Sequence, residues 1–447
     1  MPLLQSSILL DLIDCSSDKI ALHDELQSIK YKDLGSQINR RSADLQNIEV
    51  LGLAMNNSVE WILWDLAALQ SKTVCVPLPS FFTAEQTNHA IASAGISHIK
   101  DNDSLYATGI KARQSIPNDT VKITYTSGTT GSPKGVCLSE QGMIDVANSL
   151  ATSLADDFSG RHLCCLPFAV LLENIAGVYA ALIANCTIHI TDLNNYGHDY
   201  SKLYQTLKKV GATSVIVVPE ILRSLIQQVK VYGPLPVLAF IAVGGSKINS
   251  ELLTHAKKSG LPVFEGYGLS ECSSVVALNT SKHCKLGSVG KILPHISAKI
   301  VKGELVITNP TFLGYLGESP PNEFYTGDLA KLDSDGYLSI IGRAKNVLIT
   351  SYGRNISPEW VESLLLLSPD IHQALVFGDG KPSLSAIIVP FSKNININEI
   401  LTNVNKGLPK YAHIKKAHLV EPFTIDKNQL TGTGRPRRDI ILSHYNF

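Results

Sequence analysis

The stretch "YTSGTTGSPKG", Tyr125 to Gly135, holds three threonines, two serines, three glycines and one lysine. No packed core accommodates that composition. The "VKIT" before it is β-like, and the "SEQGMIDVANSLATSL" after it spaces Met143, Ile144, Ala147, Leu150 and Leu154 for a helix. The loop is therefore expected to join a strand to a helix, the place where α/β sheets hold ligands. Glycines let backbone N–H groups approach oxygens, Thr and Ser hydroxyls add donors, and Lys134 adds a point charge. Together these describe a cradle for a polyphosphate. It is not a Walker A loop, because no G-x-x-x-x-G-K-[ST] spacing can be drawn, and this disfavours a kinase or NTPase. Taken alone, the stretch also reads as a Gly/Ser/Thr surface linker.

The flanking chain alternates strand and helix. "EVLGLAM" (Glu49 to Met55) and "TVCVPL" (Thr73 to Leu78) read as strands. "SVEWILWDLAALQ" has Ser58 as N-cap, and "TAEQTNHAIASAG" is a helix closed by glycine. "KVGATSVIVVPEILRSLIQQV" and "LAFIAVGGSKINSELLTHAKKSGLPVFEGYG" repeat the alternation. Repeated βαβ units predict a largely parallel sheet flanked by helices. After about residue 284, "GELVIT" and "GYLSIIG" read as antiparallel strands. "SPEWVESLLLL" then reads as a helix with Ser357 as N-cap and Pro358 at its first position, and "ALVFGDGKPSLSAIIVPF" as two strands around a turn. The expected fold is α/β: a large N-terminal domain of βαβ units with mixed sheets, residues 1–343, and a small α+β domain, residues 344–447.

The 447 residues carry 39 Lys+Arg and 39 Asp+Glu, a formal net charge of zero, which removes a general electrostatic case for nucleic acid or an anionic membrane. The dense basic run "GRPRRD", Gly434 to Asp439, reads as a solvated surface. Eight cysteines show no CxxC and no zinc-type spacing, and suit a reducing compartment; vicinal Cys164 and Cys165 leave a redox pair open. "MPLLQSSILLDLIDC" is spaced as an amphipathic helix and lacks a basic signal-type start. "VLLENIAGVYAALIANC" is interrupted by Glu173 and Asn174, so no membrane span is expected. A cytoplasmic protein is the expectation.

Four motifs in order carry a resemblance. "YTSGTTGSPKGV" resembles the phosphate loop of the adenylate-forming enzymes, which include acyl-CoA synthetases, luciferases and nonribosomal-peptide adenylation domains. "EGYGLSE" (Glu265 to Glu271) is similar to the family's adenine-and-metal motif, and "YTGDLA" (Tyr325 to Ala330) to its ribose motif. "GRAKNVLITSYGRNISPEWVE" (Gly342 to Glu362) is similar to its hinge and the first loop of its mobile domain. Weaker echoes are "VGGSKI", "GSVGKILP" and "GELVITNP".

The resemblance implies two half-reactions: a carboxylate displaces pyrophosphate from ATP to form an acyl-adenylate, and a thiol then takes the acyl group. It implies that Thr126, Ser127, Gly128, Thr129, Thr130, Gly131 and Lys134 hold the phosphates. Glu271 and Thr126 would bind Mg²⁺, with Ser270 near the α-phosphate. Glu265, Gly266, Tyr267 and Gly268 would form one wall of the adenine site, Tyr267 stacking on the base, and Gly244, Gly245 and Ser246 the other. Asp328 would accept from the ribose hydroxyls, with Arg343 beside it. Lys345 matches the hinge of a mobile domain, and "SYGRN" would line a tunnel for the pantetheine of CoA or of a carrier protein.

Ser270 departs mildly from the pattern, standing where the family usually has threonine, and three further features depart from it. Arg435 stands where the family reads a catalytic lysine, within "LTGTGRPRRDII"; it keeps the charge but not the compact ammonium. Val170 stands where relatives often carry an aromatic residue or His. The chain before the phosphate loop is short for the family. The expected activity is an ATP-dependent acid–thiol ligase with Lys134, Glu271 and Arg435 catalytic, acting on a fatty or other apolar acid with CoA as acceptor. The alternatives are an acyl-AMP ligase loading an acyl carrier protein, or a nucleotide-binding homologue weakened by Arg435.

Overall fold

The computed structural model describes residues 7–110, 114–126, 133–155, 157–158, 160–196, 200–392, 395–431 and 434–447. One sheet orders its strands Phe312–Tyr315, Lys134–Ser139, Thr120–Thr126, Val74–Pro77, Val50–Ala54, His98–Asp101 and Leu105–Ala107. Its four central strands run parallel, as the βαβ alternation predicts. The crossover helices are Val59–Ser71 and Ala84–Ala94. Ser58 accepts from the Trp61 N–H, Thr83 and Gln86 form a reciprocal capping box, and Gly95 ends the second helix at φ 65°.

The segment after the glycine-rich loop corrects the sequence reading. The loop returns into the strand Lys134–Ser139, antiparallel to Thr120–Thr126, with Thr126 opposite Lys134. The helix starts only at Glu140, capped by Ser139. "KGVCLS" is buried over four consecutive positions because strands lie on both its edges. It therefore lacks the alternation that marks a half-exposed strand.

A second sheet runs parallel from Val263–Leu269 through Phe240–Val243, Ser214–Val217, Arg161–Cys164 and Thr187–Ile190 to Ile20–His23. The helix Glu140–Ser153 packs against Thr120–Thr126 of the first sheet and Ser274–Leu278 of the second, so the main core lies between the sheets. Beside it runs a π-helix, Leu172–Tyr179, formed by the apolar run. Among the described residues no helix is long and apolar enough to cross a membrane.

The two polar residues that interrupt this run face different partners. Glu173 accepts from the Leu166 N–H at 3.0 Å and lies 3.3 Å from His162 Nε2. His162 Nδ1 lies 3.0 Å from Ser214 Oγ, so the group is satisfied within the core. Asn174 accepts from Lys122 at 2.5 Å and donates to Asp65 at 3.0 Å. Lys122, 2.8 Å from Asp65 Oδ1, is fully buried with it. This network ties the glycine-loop strand to a crossover helix and to the π-helix. Cys164 and Cys165 lie within the same core, and burial pushes both thiols well above their usual range, which favours plain core packing over the redox option.

The later strands are antiparallel as expected: Ala298–Val301, Glu304–Ile307, Phe324–Leu332 and Leu338–Arg343. Beyond a turn at Ala344–Asn346, the helix Pro358–Leu365 and the strands Ile371–Phe377, Leu384–Pro390 and Ile414–Leu419 surround a core of their own. Pro358 opens that helix as expected, but Ser357 donates to Glu359 at 2.8 Å instead of capping a backbone N–H. Near the N-terminus the described helix covers only Ile8–Leu12.

Candidate active site

The sequence-derived site residues gather into two adjoining groups. Thr126 ends one strand and Lys134 begins the next, so the two stems of the glycine-rich loop are locked in register. Ser127, Gly128, Thr129, Thr130 and Gly131 lie outside the described residues. Glu271 sits on the turn Ser270–Cys272, which packs against the strands Lys134–Ser139 and Phe312–Tyr315. One residue touches both charges: the Tyr315 hydroxyl donates to Glu271 Oε1 at 2.7 Å, and the Tyr315 ring centroid lies 4.6 Å from Lys134 Nζ. Lys134 also approaches Glu318 at 3.4 Å, an ion pair open to solvent on both sides. Behind this group a cavity of about 250 Å³ is lined by His89, Tyr125, Pro133, Lys134, Tyr315 and Glu318 among others.

The backbone after Glu271 is strained. Ser273 and Ser274 adopt φ 55° and 135°, and both are buried. Gly268 is required by the same turn, since a Cβ there would lie 1.7 Å from the Ser274 carbonyl oxygen. That is a packing reason, separate from the place in the adenine wall that the resemblance implies. Gly244 presses on the neighbouring strand, its added Cβ meeting the Gly266 carbonyl at 3.1 Å, and Gly245 has φ 88°. Ser246 is exposed and Ser270 half-buried.

The second group centres on Asp328, buried on the strand Phe324–Leu332. Its position is set locally: its N–H donates to Thr326 Oγ1, and Gly327, at φ 72°, donates to Glu304. Tyr267 donates to Asp328 Oδ2 at 2.6 Å, and Arg343 Nε lies 2.9 Å from Oδ1. Burial raises the Asp328 carboxyl, while Arg343 opposes the shift. Oδ2 thus accepts one bond and Oδ1 faces the Arg343 cation, and each oxygen keeps a lone pair for a ligand hydroxyl. The Tyr267 hydroxyl anchor fixes its ring, which the stacking expectation requires.

Arg435 comes from the far end of the chain. Its guanidinium donates to the Gly245 carbonyl oxygen, and Arg343, Asp328, Tyr267 and Glu271 all lie within its electrostatic reach. Glu265 stands one strand over, paired with Val243. Burial pushes its carboxyl up to about 8, with Lys247 pulling the other way. Lys247 donates to the Ile341 carbonyl, two residues before Arg343. Gly353 of "SYGRN" has φ 70° with open space around its Cβ position, so backbone conformation, not crowding, calls for glycine there. Tyr315, Glu318 and Lys247 were not picked out by sequence reasoning. Tyr315 and Glu318 gain meaning only once the strand Phe312–Tyr315 pairs beside Lys134–Ser139, and no local pattern signals that.

Residues 13–104 and 97–316 match the family model described as AMP-binding enzyme, and residues 345–446 match that of the AMP-binding enzyme C-terminal domain. The chain belongs to the AMP-binding enzymes. This AMP-binding enzyme is 25% identical to a probable CoA ligase from Humulus lupulus over 89% of this chain and 87% of that protein. It is 30% identical to a 2-succinylbenzoate–CoA ligase from Bacillus mycoides over 68% of this chain and 66% of that protein. Its fold matches an anthranilate CoA ligase in complex with anthranoyl-AMP (TM-score 0.84, 18% identity, 99% of this chain and 98% of the other). It also matches an O-succinylbenzoate coenzyme A synthetase from Bacillus subtilis in complex with ATP and magnesium (TM-score 0.80, 22% identity, 97% and 99%).

Proposed function

We propose that this AMP-binding enzyme is an AMP-forming acid–CoA ligase. A substrate carboxylate oxygen attacks the α-phosphorus of ATP, the bond to the bridging oxygen breaks, and pyrophosphate leaves. The CoA sulfur then attacks the acyl carbon, AMP departs, and the thiol proton goes to solvent. The observation that carries the reading is the convergence of Asp328, Tyr267 and Glu271 near the Arg435 guanidinium, from three stretches distant in sequence. Bringing an anion onto a polyanion needs fixed charge more than covalent chemistry, and Arg435 with the neighbouring Arg343 supplies cations beside the anchored Tyr267 and Asp328.

In this reading Thr126 through Lys134 hold the outer phosphates, Tyr267 and Gly244 to Ser246 flank the base, and Asp328 with Arg343 takes the ribose. The Thr126 hydroxyl and Glu271 carboxylate are hard oxygen donors of the kind Mg²⁺ takes. Among the described residues, Glu271 spends only Oε1 on a hydrogen bond. Mg²⁺ bound there would neutralise charge on the leaving pyrophosphate. The large segment 1–343 and the small segment 344–447 would act as separate domains, with Lys345 at the hinge.

CoA as acceptor is supported by the names of the relatives, which are CoA ligases. The acids that their names print include 2-succinylbenzoate, anthranilate and oxalate, which favours a compact organic acid over the fatty acid expected from the sequence. The region from Val170 to Ala176 adds no support for a fatty pocket: its helical part is packed core. The decisive assay is acid-stimulated ATP–pyrophosphate exchange over a panel of aromatic, dicarboxylic and fatty acids, followed by thioester detection with CoA and with a carrier protein. Exchange with no acid would sink the ligase reading. It would favour the second one, a nucleotide-binding homologue whose Arg435 is committed to the Gly245 carbonyl.

A further inference from the structure

Two opposite charges in one site tend to pair and cancel. Lys134 and Glu271 do not: Tyr315 stands between them, its hydroxyl on Glu271 Oε1 and its ring against Lys134 Nζ. The strand geometry explains this. Tyr315 lies directly opposite Val136, so Lys134, two residues earlier on the same face, is its diagonal neighbour. The Leu316 N–H donates to the Gly135 carbonyl at 2.8 Å and fixes that register. Lys134 leans outward to Glu318, and because that pair is half-exposed it contributes little and releases easily.

We propose that Tyr315 is a positioning residue. Its hydroxyl aims the Glu271 carboxylate at the cation accompanying the triphosphate, and its ring keeps Lys134 from collapsing onto Glu271, so the ammonium stays available to phosphate. The inference rests on the nucleotide-binding reading above and adds a residue which that reading does not use.

Calorimetric titration of the full chain with ATP, in Mg²⁺ and in EDTA, tests it without turnover. Tyr315→Phe keeps the ring and deletes the hydroxyl. It should cut the Mg²⁺-dependent gain in ATP affinity about tenfold, the scale of one lost hydrogen bond to a charged group, and leave the EDTA affinity within about twofold. Tyr315→Leu removes the spacer as well and should also weaken binding in EDTA. Adding Glu271→Gln to it should restore that part, because the competing carboxylate is gone. An unchanged Mg²⁺ gain in Tyr315→Phe overturns the proposal even if Tyr315→Leu does not fold. Wild-type protein that binds ATP in neither condition overturns the proposal together with the reading beneath it.

Discussion

Glu265 shows how one side chain links burial to a measurable property. Its carboxyl is raised from 4.5 to about 8 by burial. Between those values the folded protein keeps a proton that the unfolded chain has released. The associated stability is complete below pH 4.5, falls as pH rises through the window, and is lost above about 8. The melting temperature of the wild type should therefore decline from pH 5 to pH 8 more steeply than that of Glu265→Gln, read by differential scanning fluorimetry. Parallel profiles would show that the carboxyl is not held protonated. At this scale the sequence was partly readable: Glu265 stood in a quotable motif, but nothing local announced Lys247 nearby or the desolvation of the carboxyl.

Among the elements, the strand Thr120–Thr126 is notable for a lysine in its interior. Lys122 is the charge that Asp65, Asn174 and Tyr179 were assembled around, so Lys122→Met leaves an uncompensated buried carboxylate. Removing one partner of such a pair costs about 3–5 kcal/mol. Urea denaturation should show that loss, and Lys122→Met combined with Asp65→Leu should lose less than the two single changes summed. Additive losses would mean that the pair is not coupled. The individual helices were legible because Ser58, Thr83 and Gly95 mark their ends and the apolar spacing fills their faces. The strand Lys134–Ser139 was not, because burial between two neighbours erases its alternation. Nor was the π-helix, whose backbone widening has no counterpart in residue spacing.

Across the whole molecule, the site depends on a residue contributed by the small C-terminal segment. Arg435 reaches the Gly245 carbonyl across 190 residues of sequence. If the guanidinium serves the acid during adenylation, Arg435→Lys should form acyl-adenylate at least as fast as the wild type. Arg435→Ala should slow that step by about tenfold or more, a loss of roughly 1.4 kcal/mol of transition-state stabilisation. Transfer from supplied acyl-adenylate, assayed separately by thioester yield, should change far less. Equal rates in all three proteins would remove Arg435 from the chemistry. The order of the motifs along the chain foretold the convergence, but only the folded chain shows Arg435 spending a bond on main chain.

That bond is exposed to solvent. A donor and acceptor that water can reach exchange partners at little net cost, so losing this contact would cost the fold little. On the proposed reading, a bound acid or nucleotide would then have to displace only this one weak contact to claim the charge.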